Sequence, residues 1–205
     1  MERWVLLRKG ADFEAIGKKY QISPRLACLI RNRDVIGEEA IERYLNGTIS
    51  DLYDGMLMKD ADKAIDILKE KIAEEKKIRV IGDYDIDGVN ATYILLEGLE
   101  RLGAYVDSDI PDRIGDGYGL NRHLIDRAYD AGIDTIITCD NGIAAANEIA
   151  YGKELGMTII VTDHHEIPFD EIDGEKIYRL PPADAVIDPK QKDCVYPFKG
   201  LCGAA

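Results

Sequence analysis

The sequence predicts an α/β fold: a mostly parallel β-sheet of about five strands with helices on both faces, preceded by a small helical N-terminal segment. Three observations carry that expectation. Short β-rich runs recur between residues 78 and 188, helical stretches separate the first four of them, and residues 1–58 contain only short helical segments. Alternation of strand and helix implies βαβ crossovers, which make the sheet parallel and cover both of its faces.

The N-terminal segment contains DFEAIGKKYQI (12–22), SPRLACLIRNR (23–33) and GEEAIERYLNG (37–47). The second of these is marked by Ser23 as a cap and Pro24 at the first helical position. Between residues 59 and 77, Ile65, Leu68 and Ile72 recur at helical spacing, and the helix closes on lysines that suit the negative end of its dipole. The period then changes. Strands are expected at 78–82 (IRVIG), 105–110 (YVDSDI), 134–139 (DTIITC), 157–162 (MTIIVT) and 184–188 (DAVID), with helices near 90–102, 121–131 and 143–155. Sites in such sheets lie outside the carboxyl ends of the strands, so residues that directly follow each run are candidates.

Composition narrows the class of protein. The chain has 205 residues, 46% of them hydrophobic, enough for one well-packed domain with a small appendage. No apolar run approaches the roughly 20 residues of a membrane span, and the opening MERWVLLRKGADFE lacks the apolar stretch of a signal peptide. A soluble, cytoplasmic protein is expected. Cys28, Cys139, Cys194 and Cys202 form neither a CxxC pair nor a zinc-finger spacing, so reduced thiols are expected. A net charge of −13 argues against a generic nucleic-acid coat. It leaves room for a phosphate-cleaving site, where carboxylates gather around divalent metal and the metal presents the positive charge.

Three motifs carry chemistry. Asp83, Asp85 and Asp87 alternate in the turn Gly82–Gly88 after the first run, and like charges so close call for a hard divalent cation. A calcium EF-hand is excluded because its twelfth position, counted from Asp83, is Ile94 rather than glutamate, and a strand precedes the loop. Asp140-Asn141-Gly142 follows the third run; alone it reads as a turn and helix cap, but it occupies the same kind of junction as the first motif. Asp163-His164-His165-Glu166 follows the fourth. Two of the chain's three histidines stand there among acids, a donor set suited to manganese, with Asp163 placed to hold a ring N–H of a neighbouring histidine.

With D-x-D-x-D-G, D-x-G and D-H-H at successive strand ends, the chain resembles the DHH phosphoesterase superfamily, which includes RecJ nucleases, oligoribonucleotide and cyclic-dinucleotide phosphodiesterases, and some pyrophosphatases. RWVLLR, SPRLACLIRNR, LYDGMLMKDADKAI, IPDRIGDGYGLN and DPKQKDCVYPFKGLCGAA are similar to corresponding parts of the RecJ branch. Ile81 stands where the pyrophosphatase and oligoribonuclease branches usually carry histidine, which also favours RecJ. Where RecJ nucleases commonly read Asn-Pro-Lys, this chain has Asp188-Pro189-Lys190, and Asp188 is left open as a ligand, a turn residue or neither. A fourth motif and further domains are expected beyond LCGAA, so residues 59–205 are expected to form a phosphoesterase domain with an incomplete C-terminal end, after a helical lead-in at 1–58.

The resemblance implies phosphodiester hydrolysis by two divalent ions, Mn2+ or Mg2+, about 3.5–4 Å apart. It makes Asp85, Asp87, Asp140 and His164 the expected ligands, with Asp83 close by and Asp140 bridging. His165 is expected at the phosphate or leaving group. Arg113 is a candidate for substrate phosphate, with an ion pair to Asp112 or Asp116 as the competing role. The implied activity is 5′ to 3′ degradation of single-stranded DNA in recombination and repair, with single-stranded nucleic acid and the protein's further domains as partners. The rival readings are a phosphodiesterase for cyclic dinucleotides or short oligonucleotides, and a catalytically incomplete binding fragment.

Overall fold

The computed structural model describes residues 9–113, 115, 117 and 119–205. The RWVLLR segment, together with Ile114, Asp116 and Tyr118 of the IPDRIGDGYGLN stretch, lies outside the described residues. The chain forms two compact units, Met1–Leu52 and Tyr53–Ala205.

Among its described residues the first unit holds the α-helices α1 (Phe13–Tyr20), α2 (Pro24–Asn32) and α3 (Glu38–Asn46). Asp12 caps α1 by accepting from Ala15 N at 2.9 Å, and Ser23 caps α2 by accepting from Leu26 N at 3.2 Å. Ala27, Ile30 and Ile41 are buried there.

In the second unit α4 (Ala61–Ala73) leads into β1 (Lys77–Ile81), α5 (Ile86–Arg101), β2 (Tyr105–Asp109), α6 (Arg122–Asp130), β3 (Thr135–Cys139), α7 (Ala146–Glu154) and β4 (Thr158–Thr162). An antiparallel hairpin follows, β5 (Phe169–Ile172) with β6 (Glu175–Tyr178), and then β7 (Ala185–Ile187). The main sheet has the order β2-β1-β3-β4-β7, and every pairing in it is parallel.

Side chains alternate across this sheet, as the strand period requires. Ile78, Val80, Ile137 and Ile160 pack with Ala64 of α4 and with Ala91 and Leu99 of α5. Ile81, Ile136, Ile159 and Val161 pack with Leu124, Ile125 and Ala128 of α6 and with Ile149 of α7. Helices therefore cover both faces, as the sequence implied. The order also fixes where a ligand belongs: β1 has β2 on one side and β3 on the other, so the topology reverses between β1 and β3.

Two helices begin away from their expected starts. α5 begins at Ile86, because Asp85 accepts from the backbone N–H groups of Asp87 and Gly88 at 2.9 and 3.0 Å and so caps the helix inside the first motif. α7 begins at Ala146, after a loop in which Gly142 takes a φ of 109°. The hairpin β5–β6 was not expected at all.

Candidate metal centre

All three motifs emerge at one edge of the sheet. Asp83, Asp85 and Asp87 follow β1, Asp140 follows β3, and Asp163, His164 and His165 follow β4. Gly88 makes the first turn possible, since a Cβ at that position would lie 2.6 Å from the backbone nitrogen and oxygen of Asp83. Asn141 ties the ends of β1 and β3 together by donating to the Ile81 and Cys139 carbonyls at 3.1 and 3.0 Å. Asp140 itself has a φ of 60°, a left-handed conformation that Asp adopts more readily than most residues and that recurs at functional turns.

Two groups of ligand atoms have the spacing a cation requires. Oxygens of Asp83, Asp85 and Asp140 lie within 4.8 Å of one another, and so do single ligand atoms of Asp140, His164 and His165. Asp140 is common to both. The strongest sign that a cation belongs here is Asp83, which is fully buried and, among the described residues, has no hydrogen-bond partner on either carboxylate oxygen. An unpaired buried carboxylate is costly, and a divalent ion is the donor-free partner that removes the cost. Among the described residues, no Lys or Arg is within ion-pair distance of Asp83, Asp85, Asp87, Asp140, Asp163 or Asp188, so the residues present fit a metal.

The electrostatics agree. Burial, and then the charge of Asp87, push the Asp140 carboxyl up to about 6, against the pull of a 2.8 Å contact from His164 Nε2 to its Oδ1. His164 Nε2 also lies 3.5 Å from Asp87 Oδ2. Burial works against the charged form of Asp87, but donations from the Gly203 and Ala204 backbone outweigh it and hold the carboxyl below its ordinary value. Asp163 is an anchor: its Oδ2 accepts from Ile143 N at 2.9 Å, and its Oδ1 accepts from His164 N at 2.7 Å and meets His165 Nδ1 at 2.7 Å. That contact commits Nδ1 and leaves Nε2 as the ring nitrogen of His165 available to a ligand or substrate. Burial opposes charge on His165, yet the hydrogen bond it donates to Asp163 prevails and raises its pKa above the ordinary value.

Arg113 is placed by the first motif, with its guanidinium 5.4 Å from the ring centre of Tyr84. Asp112 Oδ1 accepts from Gly115 N at 2.7 Å, while the competing partner Asp116 lies outside the described residues. A cleft of about 520 Å³ flanks His165, lined by Asn141, Gly142, Ile143, Asp163 and Glu166 among others.

Sequence reasoning left Asp188 open, and the structure places it at the end of β7, fully buried at the same edge. Its Oδ1 accepts from Lys190 N at 2.7 Å, its Oδ2 has no partner among the described residues, and burial pushes the carboxyl up to about 6. Reasoning from sequence missed the Gly203–Ala204 backbone altogether.

The DHH family, N-terminal domain model matches residues 77–205. The chain is 39% identical over 202 residues to the single-stranded-DNA-specific exonuclease RecJ of Bacillus subtilis strain 168, covering 98% of this chain and 25% of that protein. It is 32% identical over 204 residues to the exonuclease of the same name from Escherichia coli strain K12, covering 99% of this chain and 33% of that one. The crystal structure of RecJ in complex with Mn2+ from Thermus thermophilus superposes with a TM-score of 0.64 at 27% identity, covering 98% of this chain and 27% of that one. This chain thus spans a quarter to a third of these relatives' length.

Proposed function

The chain belongs to the DHH family, and from that premise we propose that it carries the metal-holding residues of a RecJ-like exonuclease. The proposed enzyme degrades single-stranded DNA from its 5′ end by two-metal phosphodiester hydrolysis, in recombination and repair. Residues 59–205 are its phosphoesterase domain and 1–58 a helical lead-in. One observation carries the reading: a fully buried Asp83 without hydrogen-bond partners among the described residues, in a cluster that shares Asp140 with a second cluster containing two histidines.

Asp83, Asp85 and Asp140 would hold one ion, and Asp140 and His164 with the adjacent Asp87 would hold the other, with His165 beside it. Two such ions, Mn2+ or Mg2+, supply positive charge for the scissile phosphate and acidify the attacking water. The protein's own residues supply the geometry. Asp163 fixes the ring of His165 through Nδ1, so that Nε2 can donate to a phosphate oxygen or to the leaving group; the raised pKa of His165 favours the protonated ring this needs. Arg113, stacked on Tyr84, would neutralise a further phosphate oxygen. The DNA-gripping surface would belong to further domains of the longer protein, which agrees with the acidic charge of −13 here. The four free cysteines suit a reducing cytoplasm.

The test is release of label from a 5′-tagged single-stranded DNA oligonucleotide with Mn2+, run beside Asp140→Ala. Slow release that disappears in Asp140→Ala is expected. Release that survives the substitution would overturn the site, and equal release from duplex DNA would overturn single-strand selectivity.

A further inference from the structure

Resting on the metal-site reading above, we propose that the Gly203–Ala204 backbone is a clamp that sets the geometry of two metal ligands, with Gly203 as a positioning residue. The clamp reaches Asp87 across more than a hundred residues of sequence. Gly203 N donates to Asp87 Oδ2 at 2.7 Å and Ala204 N donates to Oδ1 at 2.9 Å, a two-point grip that fixes the plane of the carboxylate. A carboxylate has about four lone-pair positions, and with the Cys202 side chain also bonded to Asp87 one remains for a cation. Asp87 Oδ2 is also the oxygen 3.5 Å from His164 Nε2, so the clamp aims it at the second group of ligands.

Gly203 also touches the shared ligand. A Cβ added there would lie 2.6 Å from Asp140 Cβ, 2.7 Å from its Oδ1 and 2.8 Å from its Cγ. Asp140 has little room to retreat, because its Cβ is one bond from a backbone already held at a φ of 60°. The usual reason for a glycine is absent: Gly203 is not among the residues of positive φ. Space against Asp140, rather than backbone conformation, is what requires glycine here. One short segment therefore orients Asp87 through its N–H groups and limits Asp140 through contact.

The experiment titrates Mn2+ alone into the full 205-residue chain, followed by calorimetry, for the wild type, Gly203→Ala, Ala204→Pro, Gly200→Ala and Asp140→Ala. Thermal unfolding without metal is recorded for each. Ala204→Pro removes the donor to Asp87 Oδ1 without adding a Cβ against Asp140, so the clamp stays testable if Gly203→Ala fails to fold. Gly200→Ala is the control in the same segment, because the nearest atoms to a Cβ there belong to the ring of Phe198.

Groups that orient metal ligands typically change affinity by about 10- to 100-fold. Both clamp variants are expected to lose about that much Mn2+ affinity with little change in metal-free melting, while Gly200→Ala binds as the wild type does. Wild-type affinity in a folded Gly203→Ala or Ala204→Pro overturns the clamp and leaves the metal site standing. Absence of any Mn2+ binding that Asp140→Ala abolishes overturns the metal site, and the clamp with it.

Discussion

Two strands of the main sheet carry an aspartate at each end, and the two ends are treated in opposite ways. Asp134 and Asp184 precede β3 and β7, and each is met by a lysine: Lys71 lies 2.8 Å from Asp134 and Lys153 lies 2.6 Å from Asp184. Burial opposes the charge on Asp134, but the Lys71 hydrogen bond prevails and its carboxyl stays below the ordinary range. Asp140 and Asp188 follow the same two strands, have no lysine or arginine within ion-pair distance among the described residues, and are both pushed up to about 6, chiefly by burial. The same residue type in the same sheet is thus ion-paired at one edge and, in the proposed reading, would meet a cation at the other. What separates the two edges is pairing.

The comparison breaks most visibly under metal. Asp140→Ala removes the group common to both candidate clusters, and the expected loss of Mn2+ affinity exceeds the roughly 100-fold seen when only an orienting group is lost. Asp134→Ala removes a carboxylate from the opposite edge and should leave affinity unchanged. Titration of both variants by calorimetry checks this, and comparable losses in the two would erase the distinction.

The second contrast concerns pH in the metal-free chain. A carboxyl raised from 3.8 to about 6 by folding holds its proton in the folded state where the unfolded chain has released it. The folded state then binds more protons than the unfolded state, and stability falls as pH rises between about 4 and 6. Asp188→Asn keeps an oxygen for the Lys190 N–H and removes this cost. It should stabilise the metal-free chain at pH 7 by about 1–2 kcal/mol and flatten the pH profile, with little change at pH 4. Chemical denaturation at the two pH values decides; an equal effect at both would show that burial of the charge is not the cause.

Much of this was legible because strand ends are legible. Runs such as DTIITC and MTIIVT are apolar and β-branched, so the residues that terminate them could be named, and the parallel alternation put Asp83–Asp87, Asp140 and Asp163–His165 on one edge. Strand bounds were off by about a residue, as capping chemistry would suggest. The start of α5 was misplaced because Asp85 acts in two ways, as a helix cap and as a candidate ligand, and only the second was considered. The hairpin was missed because both of its strands are exposed along their length and bury no face that would show a period. Its signal was nonetheless present: Asp173-Gly174 between FDEI and EKIY is a two-residue hairpin turn, and both residues take positive φ, at 53° and 81°. The grip of Gly203 and Ala204 on Asp87 had no sequence signal, because a backbone N–H is the same in every residue but proline.

The smallest expected effect lies at the paired edge. Asp134→Asn leaves Lys71, whose side chain is 17% exposed, without its ion partner, although Asn can still accept from Thr135 Oγ1. Partly exposed pairs contribute modestly because water screens them, so a loss of about 1 kcal/mol is expected at pH 7, of opposite sign to the change in Asp188→Asn. Salt provides the sharper test. The Asp134→Asn difference should shrink at high ionic strength, where a charge pair near the surface is screened, whereas the Asp188→Asn difference should persist because it arises from desolvation of a fully buried group. If both differences faded together in salt, the two ends of the sheet would be governed by one kind of electrostatics rather than two.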